Sequence, residues 1–180
     1  VHLYGSDINE DGREDDDLGN RWFIGQPINI NYDYVLEGVY QEGDNLPAGY
    51  KPGFLRFKDL NGDGKLDPND RTVISQRDPK NRWGLNNTFR YGNLSLSVFI
   101  NAMTGWAQSF YLLDPVNNYP NRPVNMLDAG WWTAENKSNT RPSLVYTNPL
   151  GYGYYTDRDF IRIQDVSLTY DFPDKLTKRW

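Results

Sequence analysis

Two runs of alternating apolar and polar residues, joined by a two-residue turn, most restrict what this chain can fold into. In residues 83–91 and 94–102, apolar side chains recur at nearly every second position. Successive side chains of a strand point to opposite faces, so each run predicts a strand with one apolar and one polar face. The Gly92-Asn93 pair between the runs is typical of a tight hairpin. We therefore expect an antiparallel hairpin and an all-β fold.

A further strand is predicted over residues 160–172, where the alternation changes phase midway. Ile161 and Ile163 share one parity, whereas Val166 and the apolar residues after it share the other. A β-bulge near Gln164-Asp165 would explain the change, because one extra residue exchanges the two faces of a strand. The alternative is that the first half of this strand projects into water.

Composition excludes several classes of function. The chain has 180 residues, a formal charge of −5, one His and no Cys. Without a basic cluster, extensive nucleic-acid binding is not expected. The absence of Cys excludes disulfides, thiolate metal sites and a Cys nucleophile. With His2 as its one histidine, the chain lacks the material for a Ser-His-Asp triad or a multi-histidine metal site, so we expect no enzyme.

Hydropathy excludes one kind of membrane segment and leaves another open. No stretch approaches 18 uninterrupted apolar residues, so a membrane-spanning helix is not expected. The mean hydropathy is only −0.77, but strands of a membrane β-barrel alternate and keep this average low. Aromatic residues make up 15 % of the chain, which argues against simple disorder.

Two long regions without sustained periodicity, residues 41–80 and 105–158, separate the predicted strands. Loops of this length are unusual in a compact soluble domain. They are normal on the outer side of a bacterial outer-membrane barrel, where the opposite side has tight turns. If Gly92-Asn93 is a periplasmic turn, both long regions face outward. A first alternating stretch, residues 28–40, then belongs either to the barrel or to the loops above the membrane.

The acidic segment 59–70 fits the spacing of an EF-hand-like or dockerin-like calcium loop. Oxygen-bearing side chains occupy loop positions 1, 3, 5, 9 and 12, and Gly64 stands at position 6 for the sharp turn. The predicted ligands are Asp59, Asn61, Asp63, Lys65 through its backbone carbonyl, Asp67 and Asp70. Apparent strands flank the loop, so a structural calcium ion is expected rather than a regulatory EF-hand. The alternative is a turn rich in Asp and Asn that binds no metal.

A second acidic segment near the start of the chain repeats part of this spacing. Its predicted calcium ligands are Asp7, Asn9, Asp11, Arg13 through its backbone carbonyl, and Asp15. Position 12 of this segment is Leu18, which cannot ligate a metal. The alternative is a solvated acidic run.

Several short segments, in chain order, together resemble one known family. They include Trp22-Phe23-Ile24-Gly25-Gln26-Pro27, the acidic loop, Trp131-Trp132-Thr133-Ala134-Glu135-Asn136 and Phe160-Ile161-Arg162-Ile163-Gln164-Asp165. The other matching segments are residues 28–29, 32–34, 37–41, 52–53, 79–80, 84–89 and 166–170. This order resembles the C-terminal barrel section of the SusC/RagA family of TonB-dependent outer-membrane transporters.

The resemblance implies a fold, a location and partners. It implies that residues 1–180 are part of a 22-stranded transmembrane antiparallel β-barrel with long extracellular loops. In this sequence we find no segment that matches the family's plug, TonB box or closing strands. The location would be the outer membrane of Bacteroidetes-type bacteria. The function would be active import of large nutrients, glycans and other oligosaccharides or peptides, with a SusD-like surface lipoprotein as lid and TonB acting through parts outside this chain.

Aromatic residues of the long loops are candidates for contact with a sugar. The candidate substrate-binding residues are Trp106, Trp131, Trp132, Tyr152, Tyr154 and Tyr155. The alternative is that these rings pack the loops together or touch the lipoprotein. An alternative function for the whole chain is a secreted, calcium-stabilised carbohydrate-binding β module, which would explain the aromatic residues and the acidic loop. A glycoside hydrolase with paired carboxylates has almost no support in the sequence.

Overall fold

The computed structural model describes residue 7 and residues 9–118 and 127–173. In this part of the chain the regular structure consists of nine strands and three short 3₁₀ helices, with no α-helix. The strands are β1 (Ile30–Tyr34), β2 (Leu36–Val39), β3 (Leu55–Phe57), β4 (Arg71–Gln76), β5 (Asn81–Tyr91), β6 (Leu94–Thr104), β7 (Ala107–Ser109), β8 (Tyr155–Asp157) and β9 (Phe160–Tyr170). The 3₁₀ helices are Pro68–Asp70, Tyr111–Leu113 and Pro115–Asn118. None of the described helices is long and apolar enough to span a membrane. The all-β prediction is confirmed for the described residues.

The chain forms two compact units. The loop unit consists of Val1–Arg77 and Ala107–Thr156, and the sheet unit consists of Asp78–Trp106 and Asp157–Trp180. The names refer to the long loops in the first unit and to the three-stranded sheet in the second. His2 lies outside the described residues.

The sheet unit contains the predicted hairpin and the predicted bulge. Strands β5, β6 and β9 form an antiparallel sheet in that order, and β5 turns into β6 with Tyr91 opposite Leu94. Between β6 and β9 the register shifts at Phe99, so that Gln164 is the extra residue on β9. The predicted bulge near Gln164-Asp165 is thereby confirmed.

Because of the bulge, the apolar residues of all three strands share one face of this sheet. The residues that share this face through the cross-strand pairs are Trp83, Leu85, Asn87, Phe89 and Tyr91 on β5, Leu94, Leu96, Val98, Ile100 and Ala102 on β6, and Ile161, Ile163, Val166, Leu168 and Tyr170 on β9. Asn87 is the one polar residue on this face of β5 between Trp83 and Tyr91. The apolar side chains of β5 and β9 are exposed, with Leu168 at 68 % and Ile161 at 78 % of full accessibility.

The opposite face is mostly polar and carries its own hydrogen bonds. The Ser97 hydroxyl contacts Thr88 and Asn86 across the strand pair, each at 3.4 Å. The side-chain amide of Asn101 donates to Gln164 at 3.2 Å, so the bulge residue lies within reach of the central strand. The sheet therefore separates one apolar face from one polar face, as the alternation predicted.

The loop unit has a core built mainly from aromatic rings. Two-stranded sheets pair β1 with β4 and β2 with β3, and β7 pairs with β8. The buried members of the core cluster are Tyr34, Val39, Leu55, Phe57, Leu113, Tyr146, Tyr152 and Tyr154. This unit buries its large side chains without help from any long strand.

The alternating stretch 28–40 forms two strands, β1 and β2, both within the loop unit rather than in the three-stranded sheet. Its polar residues Asn31 and Asp33 are buried, at 1 % and 6 % accessibility. Asn31 donates to the carbonyl of Ala107 at 2.9 Å. Residues from distant parts of the chain therefore cover the polar parity of this stretch.

Candidate functional site

The acidic loop 59–70 is held by hydrogen bonds from its own backbone to its side chains. The two carboxylate oxygens of Asp59 accept from the N–H groups of Gly62 and Gly64, at 2.7 and 2.8 Å. Asn61 and Asp63 each accept from the N–H two residues later, at 2.9 and 2.8 Å. Gly62 and Gly64 have φ angles of +74° and +78°, a region that favours glycine. The sequence thus folds into the tight turn that its spacing predicted.

Asp70 ties the end of the acidic loop to its beginning. Its side chain is fully buried, and its two oxygens accept from the N–H groups of Leu60 at 2.8 Å and Asp67 at 2.9 Å. Asp67 in turn accepts from Asn69, which completes a capping box on the 3₁₀ helix Pro68–Asp70. These N–H donors, that of Asp67 foremost, hold the pKa of Asp70 below its ordinary value.

The second acidic segment folds in the same way but closes differently. Asp7 accepts from the N–H of Gly12 at 2.8 Å, and Asn9 and Asp11 again accept from the N–H two residues later, both at 2.9 Å. The closing contact is made by Asp15, whose carboxylate accepts from Asn9 at 3.2 Å. All these contacts are exposed to solvent, in contrast to the buried carboxylate of Asp70.

Metal binding by either segment stays a prediction. Among the described residues, no three or more His, Cys, Asp or Glu side chains are grouped closely enough to hold a metal ion. The predicted ligand sets also use an Asn side chain and a backbone carbonyl, which are suitable oxygen donors for Ca²⁺. The donor chemistry therefore fits calcium, although no carboxylate cluster surrounds a common point.

A cluster of tyrosines forms the second notable feature of the loop unit. The ring of Tyr152 lies 5.0 Å from Phe57, 5.3 Å from Tyr154 and 5.7 Å from Tyr155, measured between centroids. Burial raises the pKa of Tyr152 to about 12. Burial also raises the pKa values of Tyr146, Tyr154 and Tyr155 well above the ordinary value. These phenols remain neutral at any physiological pH.

The buried carboxylate of Asp33 accepts hydrogen bonds from this cluster. The hydroxyl of Tyr155 donates to one of its oxygens at 3.0 Å, and the N–H of Gly153 donates to the same oxygen at 3.1 Å. The other oxygen accepts from the N–H of Tyr34 at 2.9 Å. These contacts join β1 to residues 153–155 and explain why a carboxylate is tolerated in the core.

Of the six aromatic residues predicted to contact substrate, five lie in the loop unit and three of those are buried. Trp131, Tyr152 and Tyr154 are buried, Trp132 and Tyr155 are half-buried beside the core cluster, and Trp106 belongs to the sheet unit. The indole N–H of Trp131 donates to the carbonyl of Leu127 at 2.8 Å. The five rings of the loop unit are buried or packed beside the core, and contact of any of the six with a substrate stays a prediction.

Trp132 is fixed by two residues that the sequence did not reveal. Its indole N–H donates to the side chain of Gln41 at 2.8 Å. Its ring covers Gly53, where an added Cβ would lie within 2.5 Å of the indole. Gly53 also has a φ of +88°, so both the backbone and the close approach of the ring require glycine. The segment around Trp132 is therefore docked on residues 38–53.

A cleft of about 340 Å³ lies between the acidic loop and the segment before β3. It is lined by Tyr40, Pro47, Tyr50, Phe57, Asp59, Gly64, Lys65 and Leu66. The rings of Tyr40 and Tyr50 meet edge to face at 5.6 Å. Sequence reasoning missed this cleft because its residues follow no periodic pattern; the only signal was the pair of tyrosines on either side of Pro47.

Comparison with known proteins identifies similar sequences over most of the chain. No family model matches. TonB-dependent receptor P3 of Formosa agariphila is 30 % identical over 158 residues, which cover 83 % of this chain. TonB-dependent receptor P26 of the same organism is 31 % identical over 171 residues, or 87 % of the chain. The chain is similar to TonB-dependent receptors.

The similarity to these receptors includes both units, because it extends over more than four-fifths of the chain. In the other direction the match covers 16 % of receptor P3 and 17 % of receptor P26. The chain thus spans about one-sixth of the length of these relatives.

Proposed function

We propose that this chain is a section of the barrel of a TonB-dependent outer-membrane receptor, and that the complete protein is an active transporter without enzymatic activity. The observation that carries this proposal is the uncovered apolar face that runs across β5, β6 and β9. In water such a face is a strong aggregation hazard. In a bilayer it is the surface that a barrel presents to lipid.

The dimensions of the three strands support a membrane location. Each has 11 residues, and about 9–11 residues in a tilted strand cross a bilayer. Tyr91 and Tyr170 end two of these strands, and Tyr170 packs against Phe172 at 5.2 Å. Aromatic rings at strand ends match the aromatic girdles of membrane barrels. The proposal therefore assigns the apolar band to the lipid core and these rings to one of its boundaries.

Chain connectivity supports an orientation. The turn Gly92-Asn93 joins β5 to β6 at one end of the hairpin, whereas the opposite ends continue into the loop unit. Barrels of this class have short periplasmic turns and long extracellular loops. We therefore assign the turn to the periplasm and the loop unit to the cell exterior.

The strands described here form only part of a barrel. Within the described residues β5 and β9 each have one neighbour and one free edge, and a membrane sheet needs every edge paired. The proposal includes closure by further strands to the 22-stranded barrel of the SusC/RagA type. It also includes the plug and the contact with TonB, which lie outside this chain.

The proposed cargo is a large nutrient, either a glycan or other oligosaccharide or a peptide, taken up in a Bacteroidetes-type bacterium together with a SusD-like lipoprotein. Support comes from the resemblance of Trp131-Trp132-Thr133-Ala134-Glu135-Asn136 and the acidic loop to SusC/RagA elements. Growth of a strain lacking the receptor on defined oligosaccharides or peptides tests the cargo. The cargo assignment is wrong if the strain lacking the receptor grows as well as the parent strain on both kinds of nutrient.

Calcium in the acidic loop 59–70 is part of the proposal, with a weaker second site at Asp7. Terbium luminescence of the purified receptor tests both sites, since Tb³⁺ replaces Ca²⁺ and is excited by nearby Tyr or Trp. We expect Asp59→Ala to remove most of the Ca²⁺-competed signal and Asp7→Ala to remove less. A signal unaffected by Asp59→Ala would contradict the assignment.

Single-cysteine labelling in whole cells tests the orientation, and the chain itself has no cysteine to interfere. Glu135→Cys in the loop unit should react with a membrane-impermeant maleimide on intact cells. Asn93→Cys should react only after the outer membrane is permeabilised. The parent receptor measures background labelling. Reaction of Asn93→Cys on intact cells would refute the orientation, and recovery of the receptor as a water-soluble protein would instead support a secreted module.

A further inference from the structure

A turn of the loop unit, residues 16–24, presents large apolar side chains to solvent. Leu18 is 65 % accessible, and Trp22 and Ile24 are 44 % and 40 % accessible. Phe23, between the last two, is buried, and its ring packs on a tyrosine of β1 at 4.6 Å between centroids. Single apolar residues on a surface are ordinary, whereas several on one short turn indicate a site of interaction.

Hydrogen bonds fix the shape of this turn in the absence of a partner. The backbone groups of Asp17 and Trp22 exchange two hydrogen bonds, at 2.8 and 2.9 Å. The carboxylate of Asp16 accepts from the N–H of Ile24 at 2.6 Å. The carboxylate of Asp17 accepts from the N–H of Asn20 at 2.9 Å. Because the backbone is already ordered, Trp22 can be buried by a partner at little further cost in conformational entropy.

The turn and the segment that leads into it hold the excess negative charge of the chain. Residues 7–24 contain seven Asp or Glu against two Arg, so the formal charge of −5 of the whole chain is concentrated here. Glu10, Glu14 and Asp16 are exposed and are not among the predicted calcium ligands. One bound Ca²⁺ would therefore leave this surface negative.

This combination of side chains favours one kind of partner. Protein interfaces have an apolar and aromatic centre with a polar rim, and Trp22 and Leu18 lie beside such a rim. The negative charge repels nucleic acids and anionic lipid headgroups, and two copies of this surface would repel each other. A basic protein surface is attracted, and charges of this kind speed the diffusional encounter with a separate molecule.

We propose that residues 16–24, with Glu10 and Glu14, form a docking surface for a separate protein that has an apolar pocket surrounded by Lys and Arg. Trp22 and Leu18 fill the pocket, and the carboxylates of Glu10 and Glu14 steer the approach. The inference rests on the proposed function, because the orientation proposed there places the loop unit at the cell exterior.

Photocrosslinking of the full-length receptor on intact cells tests this inference. Leu18→Cys is labelled with benzophenone maleimide, whose ring keeps the position apolar. We expect irradiation to join this position to one other protein, through a peptide that contains Lys or Arg. Val145→Cys, at a site 62 % accessible, is the labelled control and should not form this adduct.

Several crosslinking results would overturn the inference. They are the absence of an adduct at Leu18, an adduct with lipid, an adduct with a second receptor or with another part of the same receptor, and an adduct through a peptide without basic residues. Each of these would assign the exposed turn to something other than a separate basic protein.

Affinity measurements between the purified receptor and the crosslinked protein test the residues. Trp22→Ala should weaken binding about tenfold or more, because a buried tryptophan is a common hot spot. Glu14→Lys should weaken binding about threefold or more and reduce its dependence on salt. Asp157→Lys reverses another exposed charge and should change neither.

Unchanged binding in Trp22→Ala or in Glu14→Lys would overturn the inference. Hydrogen exchange of the N–H groups of residues 22 and 24, which donate the hydrogen bonds described above, verifies that the turn remains folded in both variants.

The outcomes separate this inference from the proposed function. If no adduct forms at Leu18 while Glu135→Cys still reacts on intact cells, the docking surface is wrong and the transport proposal stands. If Asn93→Cys reacts on intact cells, the proposed orientation is wrong, whether or not an adduct forms at Leu18.

Discussion

The loop unit and the sheet unit use aromatic side chains in opposite ways. In the loop unit Tyr34, Tyr146 and Tyr154 are at most 4 % accessible, whereas in the sheet unit Tyr91 and Phe89 are 88 % and 62 % accessible. Aromatic residues therefore form a buried core in one unit and lie exposed on the surface of the other. What differs is the medium that each unit is built for, water around the first and, in our proposal, lipid around the second.

This contrast shows what alternation along a strand can and cannot reveal. In β6 the apolar parity marks one face of the three-stranded sheet. In β1 both parities are buried, with Asn31 and Tyr34 each at 1 % accessibility. Period-2 patterning predicts a strand in both cases, but only the surroundings decide which side chains are covered. Four experiments sharpen the contrast between the units.

The largest effect is expected in the core of the loop unit. Leu55 is fully buried, so Leu55→Ala should destabilise this unit by about 2–5 kcal/mol through lost contacts and a cavity. Urea unfolding of the full-length receptor in detergent, followed by hydrogen exchange in loop-unit peptides, measures the loss. Val145→Ala, at a site 62 % accessible, should change stability by less than about 0.5 kcal/mol. Equal effects of the two substitutions would remove the distinction between core and surface.

The apolar face of the sheet should respond to charge almost as strongly. Val98 lies near the middle of β6, opposite Asn87 and Val166. Val98→Arg should cost about 2–4 kcal/mol if this face meets lipid at mid-membrane, and the receptor level in the outer membrane measures the result. Ser97→Arg is the matched control, because Ser97 belongs to the polar face. If both arginines are tolerated equally, the sheet does not face lipid.

Alkaline pH should destabilise the loop unit through its buried tyrosines. The folded unit keeps the proton of Tyr152 up to about pH 12, whereas an unfolded chain releases it near pH 10. The stability from this group is therefore full below about pH 10 and is lost as the pH rises through the raised pKa. The loss is at most about 2–3 kcal/mol for Tyr152.

Thermal unfolding of the loop unit between pH 8 and pH 12 measures this dependence. Tyr152→Phe should weaken it, since phenylalanine keeps the ring and cannot ionise. A pH profile identical in the variant and the parent would contradict the role of Tyr152.

The smallest effect is expected at the capping box of the acidic loop. Asp67→Ala removes the side-chain acceptor for Asn69 and should destabilise the loop unit by about 0.5–2 kcal/mol. Asp15→Ala, in the exposed second segment, should cost less. Thermal unfolding with and without millimolar Ca²⁺ compares the two variants. If Ca²⁺ raises the midpoint temperature of thermal unfolding by the same amount in the parent and in Asp67→Ala, Asp67 is not a calcium ligand.

Local signals in the sequence were sufficient for the hairpin and the bulge of the sheet unit, whereas the pairing of β6 with the distant β9 was not predicted. The hairpin follows from the Gly92-Asn93 pair and from two uninterrupted alternations, and these involve only neighbouring residues. The bulge at Gln164 is also visible locally, because a shift of one residue exchanges the faces. The turn of the acidic loop was predictable for the same reason, since Gly62 and Gly64 stand where positive φ angles are needed.

The loop unit was less predictable because its decisive contacts join distant residues. Asp33 is stabilised by Tyr155, 122 positions later, and Trp132 by Gln41, 91 positions earlier. Neither pairing leaves a periodic trace in the sequence. The cleft was missed for this reason, and the sequence left open whether the aromatic residues of the long loops contact a sugar, pack the loops together or touch the lipoprotein.

The loop unit is assembled from two stretches of chain, residues up to 77 and residues 107–156, with the β5–β6 hairpin between them. Its core cannot be completed until the second stretch has been synthesised, whereas the hairpin needs only adjacent residues. Contacts between neighbours form quickly, and contacts between distant segments form slowly. Connectivity therefore imposes an order of assembly in which the hairpin comes first. A hairpin that fails to form leaves a longer flexible segment between the two halves of the aromatic core, and closing a longer loop costs more conformational entropy.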